Sequence, residues 1–128
     1  MKYLLTFVVE ERAMEGSPEE MREALERWSA FDQEAVDAGV LIAGEALESS
    51  AITTLRVPRD GEAILSDGPF AESKEQLGGF CLLECADADE ALAWARKVPL
   101  REGAIEIRPI MELSQFGYES RTLTPARA

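Results

Sequence analysis

Between residues 2 and 9 apolar and β-branched side chains occupy both alternating faces, with Tyr3, Leu5, Phe7 and Val9 on one and Leu4, Thr6 and Val8 on the other. That pattern predicts a strand covered from both sides. The run Ser17-Pro18-Glu19-Glu20 then carries helix-start chemistry: a capping hydroxyl, a proline at the first helical position and a glutamate spaced to reach back to the cap. Met21, Leu25, Trp28, Phe31 and Ala35 recur every three or four residues, opposite Glu19, Glu23, Glu26, Arg27 and Glu34, and Gly39 suits the C-terminal stop. One amphipathic helix is expected over 18–38.

Strand character resumes over 40–47 and again over 52–57, where Ile52, Thr54 and Arg56 alternate with Thr53, Leu55 and Val57. Pro58-Arg59-Asp60-Gly61 is a turn, so 63–66 folds back as the short arm of a hairpin. A polar stretch leads to Gly78, and a strand is predicted over 79–85. Asp87 and Glu90 repeat the capping-box spacing ahead of a second helix, with Ala88, Leu92, Ala95 and Val98 on one side and Pro99 beyond its end. A last alternating stretch covers 104–113. Two βαβ units with a hairpin between them predict an α+β, ferredoxin-like βαββαβ domain over 1–113, with 114–128 as a C-terminal tail. Two helices cover one sheet face only, whereas the first and the 79–85 strands are apolar on both. A second copy of the chain is the economical cover, which predicts a homodimer closed into an α/β barrel.

The chain has 128 residues, one domain's length, and is 46% hydrophobic and 30% charged, as an ordinary globule is. Lys and Arg number 13 against 25 Asp and Glu, a formal charge of −12 that repels nucleic-acid backbones and anionic membrane surfaces, so neither is expected as a partner. No apolar run approaches the roughly 20 residues that span a bilayer, and Met1 to Val9 passes into Glu10-Glu11 without a small-residue cleavage site, so no leader is expected. There is no histidine, which removes His-dependent triads and His-ligated zinc. The two cysteines, Cys81 and Cys85, fall on one face of a strand about 13 Å apart, beyond disulfide reach. They read as small core residues in a reducing cytoplasm. Acidic residues lack the regular spacing of an oxygen-ligand loop, so no metal and no cofactor is expected.

Residues 67–80, Asp67-Gly68-Pro69-Phe70-Ala71-Glu72-Ser73-Lys74-Glu75-Gln76-Leu77-Gly78-Gly79-Phe80, form a distinctive segment. Gly68 and Pro69 prescribe a tight backbone path, and Gly78-Gly79 permits close backbone approach at the entry to a strand. As scaffold, the segment would use Phe70 to anchor the loop in the core and Asp67 to accept backbone N–H groups. As site, it would present Asp67, Glu72, Lys74 and Glu75 to a ligand. The D-G-P-F, E-x-K-E and L-G-G-F pieces, in that order, resemble the signature of the YCII-related family in its DGPF-motif branch. Met1-Lys2-Tyr3-Leu4-Leu5, Gly44-Glu45 and Glu106-Ile107-Arg108-Pro109 extend the resemblance over 1 to about 112. It implies a ferredoxin-like fold that dimerises through its sheet face. The His-Asp pair proposed as catalytic in a related branch has no counterpart here. Association of this branch with extracytoplasmic-function sigma factors implies an accessory role in transcription regulation as one alternative.

If Ile105 and Ile107 face the helices, Glu106 and Arg108 point to the opposite sheet face. There Arg108 either pairs with a carboxylate of Glu45, Asp67 or Glu72, or binds an anion. The expected site is a polar cleft at the 67–80 loop with Glu45 and Arg108, taking a small anionic or polar metabolite, by binding alone or with weak catalysis. The acidic face of the first helix is either simply solvated or a docking surface for a basic protein partner of the sigma-factor type.

Overall fold

The caps form as their spacing predicts. Ser17 Oγ accepts from the Glu20 N–H at 3.1 Å and Asp87 accepts from the Glu90 N–H at 2.9 Å, while the Glu90 carboxylate reaches back to the Ala86 N–H at 3.0 Å. The computed structural model describes residues 1–10, 16–70 and 75–119. In order, it contains β1 (Lys2–Glu10), α1 (Pro18–Asp37), β2 (Leu41–Ala46), β3 (Thr53–Arg56), β4 (Ile64–Asp67), β5 (Glu75–Glu84), α2 (Ala88–Ala95) and β6 (Ala104–Pro109), then a 3-10 turn, Leu113–Phe116.

Four strands form a sheet in the order β2-β5-β1-β6, each neighbouring pair antiparallel, and β3 and β4 pair separately as a hairpin. This is an α+β architecture with two helices, compatible with a ferredoxin-like fold. Tyr3, Leu5 and Phe7 of β1 and Cys81 and Leu83 of β5 bury against Phe31 and Ala35 of α1 and Ala91 and Ala95 of α2. Edge-to-face contacts run Phe7–Trp28 (5.1 Å between centroids), Trp28–Phe31 (6.3 Å) and Phe31–Trp94 (6.3 Å), linking β1 to both helices. Lys97 and Glu34 close the outer edge of the helix pair at 2.6 Å.

Two expectations are corrected. β5 begins at Glu75 instead of Gly79, because a register shift opposite Phe7 and Val8 carries the ladder through Gly78-Gly79 and pairs Val8 with Leu77. β6 ends at Pro109, which lacks an N–H for further pairing; Ile110 makes one more bond, to the Lys2 carbonyl at 2.9 Å, before the chain turns. β1 is fully buried on its helix side, and Leu4, Thr6 and Val8 are half-buried on a face that no helix among the described residues covers. Cys81 and Cys85 are free and buried, as core residues.

Candidate functional site

Hydrogen bonds within the β3–β4 hairpin shape the Asp67 loop. The Thr54 hydroxyl donates to the Gly68 carbonyl at 2.6 Å, and the Gly68 N–H donates to the Ile52 carbonyl at 2.7 Å. Gly68 takes a φ of 96°, a left-handed conformation that favours glycine. The Asp67 carboxylate therefore does not shape the turn: among the described residues it has neither a hydrogen bond nor an ion pair. Nor does Phe70 anchor the loop in the core. Its ring is 69% exposed and lies under the Arg56 guanidinium, 4.7 Å from the centroid. The reason is local, since Arg56 ends β3 opposite Ile64 of β4 and offers the ring a cationic partner within the hairpin.

At the base of this hairpin a crevice of about 410 Å³ is lined by Ser49, Ser50, Thr53, Asp67, Gly68 and Pro69, together with Ala51 and Ile52. Asp67 closes β4 opposite Thr53, so strand pairing sets its carboxylate beside the crevice hydroxyls. The arrangement offers hydroxyl donors and acceptors and one anionic acceptor. It offers no basic side chain among the described lining.

The other expected site residues distribute over the sheet. Glu45 is registered with Phe80, Phe80 with Thr6 and Thr6 with Glu106, and the next row runs Ala43, Leu82, Leu4, Arg108. Registered side chains share a face, so Glu45, Glu106 and Arg108 all stand on the helix-free face, as the alternation of β6 predicts. Glu45 and Arg108 nevertheless occupy opposite edge strands, three strand spacings or about 14 Å apart. Neither has an ion-pair partner among the described residues. Glu75 opens β5 opposite Glu10. Glu72 and Lys74 lie outside the described residues.

A second cavity, not foreseen in the sequence, opens on the helix side. A cleft of about 400 Å³ separates the N-terminal half of α1 from the sheet, with Phe7, Val9, Leu25, Trp28 and Leu100 among its walls and Asp32 at its edge. Partial desolvation raises the Asp32 carboxyl above its ordinary value, although the residue as a whole is exposed. Cys81, beneath it on β5, is pushed up to about 12, first by burial and then by the negative charge of Asp32. The available signal was spacing: Asp32 falls four residues after Trp28 and three before Ala35, beside the apolar stripe of α1.

Among the described residues no helix is long and apolar enough to cross a membrane, and no cluster of three or more metal-ligating side chains occurs. Residues 1–114 match the sequence profile of the YCII-related domain. An uncharacterized protein of Rhizobium meliloti (strain 1021) is 42% identical over 98 residues, which cover 73% of this chain and 78% of the relative.

Proposed function

The chain belongs to the YCII-related domain family, and from that premise we propose that it is a homodimeric protein that binds a small polar metabolite in the crevice beside Asp67. The carrying observation is the Asp67 carboxylate, unpaired among the described residues, beside Ser49, Ser50 and Thr53 in a crevice of about 410 Å³, a size suited to a small molecule. Because the lining among the described residues is polar and carries no cation, a neutral, hydroxyl-rich ligand fits it better than an anion. Carboxylate and hydroxyls can bind and orient such a ligand, and Asp67 is the group placed to accept a proton should turnover occur.

The dimer rests on the helix-free sheet face, where Leu4, Val8, Phe80 and Leu82 form an apolar centre with Lys2, Glu45, Glu106 and Arg108 around it. Two such faces packed about a two-fold axis form an α/β barrel, with Arg108 free to meet carboxylates across the interface. The accessory reading, docking on a basic protein of the sigma-factor type, has less support. On the acidic face of α1, Arg22 sits between Glu19 (3.6 Å) and Glu26 (3.3 Å), and Lys97 answers Glu34, so part of its charge is met locally.

A thermal-shift screen of the full chain against small hydroxylated metabolites tests the proposal. A ligand that raises Tm in the wild type and does so no longer in Asp67→Asn, whose unliganded Tm is unchanged, is the expected result. A shift that survives Asp67→Asn undiminished rejects the crevice as the site.

A further inference from the structure

The cleft between α1 and the sheet presents a chemical mismatch. Its walls are aromatic and aliphatic, and along its rim Leu25 is 60% and Met21 50% exposed, although both lie on the apolar stripe of α1. Exposed apolar side chains around a concave apolar space lose free energy to water and recover it when an apolar body fills the space. Among the described residues, Asp32 and Glu45 are the charged members of the lining. The Glu45 side chain belongs to the opposite face of the sheet by its register with Phe80, which leaves Asp32 as the carboxylate of the cleft. Among the described residues no basic side chain lines the cleft, and Asp32 has neither an ion pair nor a hydrogen bond.

Asp32 is itself exposed, so its carboxylate stands at the solvent side of an apolar cleft, where a ligand that brings a positive charge can meet it while its apolar body enters. Trp28 and Phe7, 5.1 Å apart in an edge-to-face pair, add aromatic surface that attracts a cation as well as a ring. We propose that this cleft is a binding site, separate from the Asp67 crevice, for a small hydrophobic ammonium ion: a protonated aryl- or alkylamine whose charge meets Asp32 and whose apolar body lies against Phe7, Trp28 and Leu25. An anionic ligand of the same shape meets repulsion from Asp32, and a neutral one gains no charge-assisted contact from it.

Calorimetric titration of the full chain at neutral pH with 2-phenylethylamine, 2-phenylethanol and 3-phenylpropanoate tests the site by varying charge at nearly constant shape. The amine binds tightest, by about tenfold or more over the anion, a difference typical of one charge-assisted contact. Asp32→Asn removes that preference and leaves the alcohol unaffected, and Asp67→Asn leaves amine binding intact. Failure of the amine to bind the wild-type protein, equal binding of amine and anion, or retention of the preference in Asp32→Asn overturns the proposal. Loss of amine binding in Asp67→Asn also overturns it, by placing the ligand at the crevice. Because the two variants are read separately, either site can fail while the other stands.

Discussion

Gly79 lies so close to Glu45 that a Cβ added to it would stand 2.9 Å from the Glu45 carbonyl oxygen. Beside it, a Cβ on Gly78 would stand 2.8 Å from Cγ2 of Val9. The paired glycines thus let β5 press between β1 and β2 while its register shifts, which is how the ladder extends back to Glu75.

Gly79→Ala is expected to destabilise the chain by about 1–3 kcal/mol, as overpacking against fixed backbone does. Gly78→Ala is expected to cost less, because a side-chain methyl gives way more readily than a carbonyl. Urea midpoints compared at constant m-value check the order. Equal midpoints for wild type and Gly79→Ala would show that β2 moves aside at no cost.

In the hairpin, Thr54 and not Asp67 holds the loop. Thr54→Val removes the 2.6 Å bond to the Gly68 carbonyl and is expected to lower stability by about 0.5–1.5 kcal/mol, the usual net value of one hydrogen bond. Asp67→Asn is expected to change stability by less than about 0.5 kcal/mol, since the carboxylate has no partner among the described residues to lose. Thermal unfolding of the two variants side by side gives the answer.

The buried thiol of Cys81 makes stability fall in alkali. Its value is raised from 9.0 to about 12 in the folded chain, so between those values the folded state keeps a proton that the unfolded state has lost, and the slope of stability against pH is negative. The contribution is complete below about pH 9 and declines as pH rises toward 12. Cys81→Ala costs stability at neutral pH by removing core volume, but its urea midpoint is expected to fall less between pH 8 and 10.5 than that of the wild type. The same burial makes Cys81 slow to alkylate at pH 8 in the folded state, measurable by mass spectrometry after iodoacetamide treatment.

Phe80→Glu places a charge at the centre of the helix-free face, one row from Leu4 and Leu82. Light scattering at micromolar concentration is expected to give about twice the 14.1 kDa chain mass for the wild type and the chain mass itself for the variant. A wild-type chain that stays monomeric at every concentration removes the dimer from the proposal.

Both helices, their caps and the alternating strands were legible because each depends on residues within four positions of one another. Ser17 with Glu20, Asp87 with Glu90 and the stripe from Trp28 to Ala35 are local relationships, and local geometry is what periodicity records. The placement of candidate site residues was less legible. Residue type marked Asp67 as a carboxylate on a constrained loop, and the alternation of β6 placed Arg108 on the helix-free face. Phe70 read as a core anchor because it is large and apolar; its ring went instead to Arg56, a partner supplied by hairpin register. Glu45 and Arg108 looked available to each other, and strand order put them on opposite edges of the sheet.

The sequence alone determined the order and type of the elements, the caps that start both helices, which face of each element is apolar, and that two helices leave one sheet face without a cover. Tertiary structure decided which elements lie side by side, and through that the two cavities. Asp32 comes to line the helix-side cleft because α1 approaches the sheet at Phe31 and Ala35 while its N-terminal half stands off, and the spacing of residues along a helix carries no information about its distance from a sheet. Contacts such as Met1 with Cys85, bonded from amino group to carbonyl at 3.0 Å, join chain segments far apart in sequence. Their existence depends on how the sum of buried surface is best satisfied across the whole chain, and not on any one segment's own pattern.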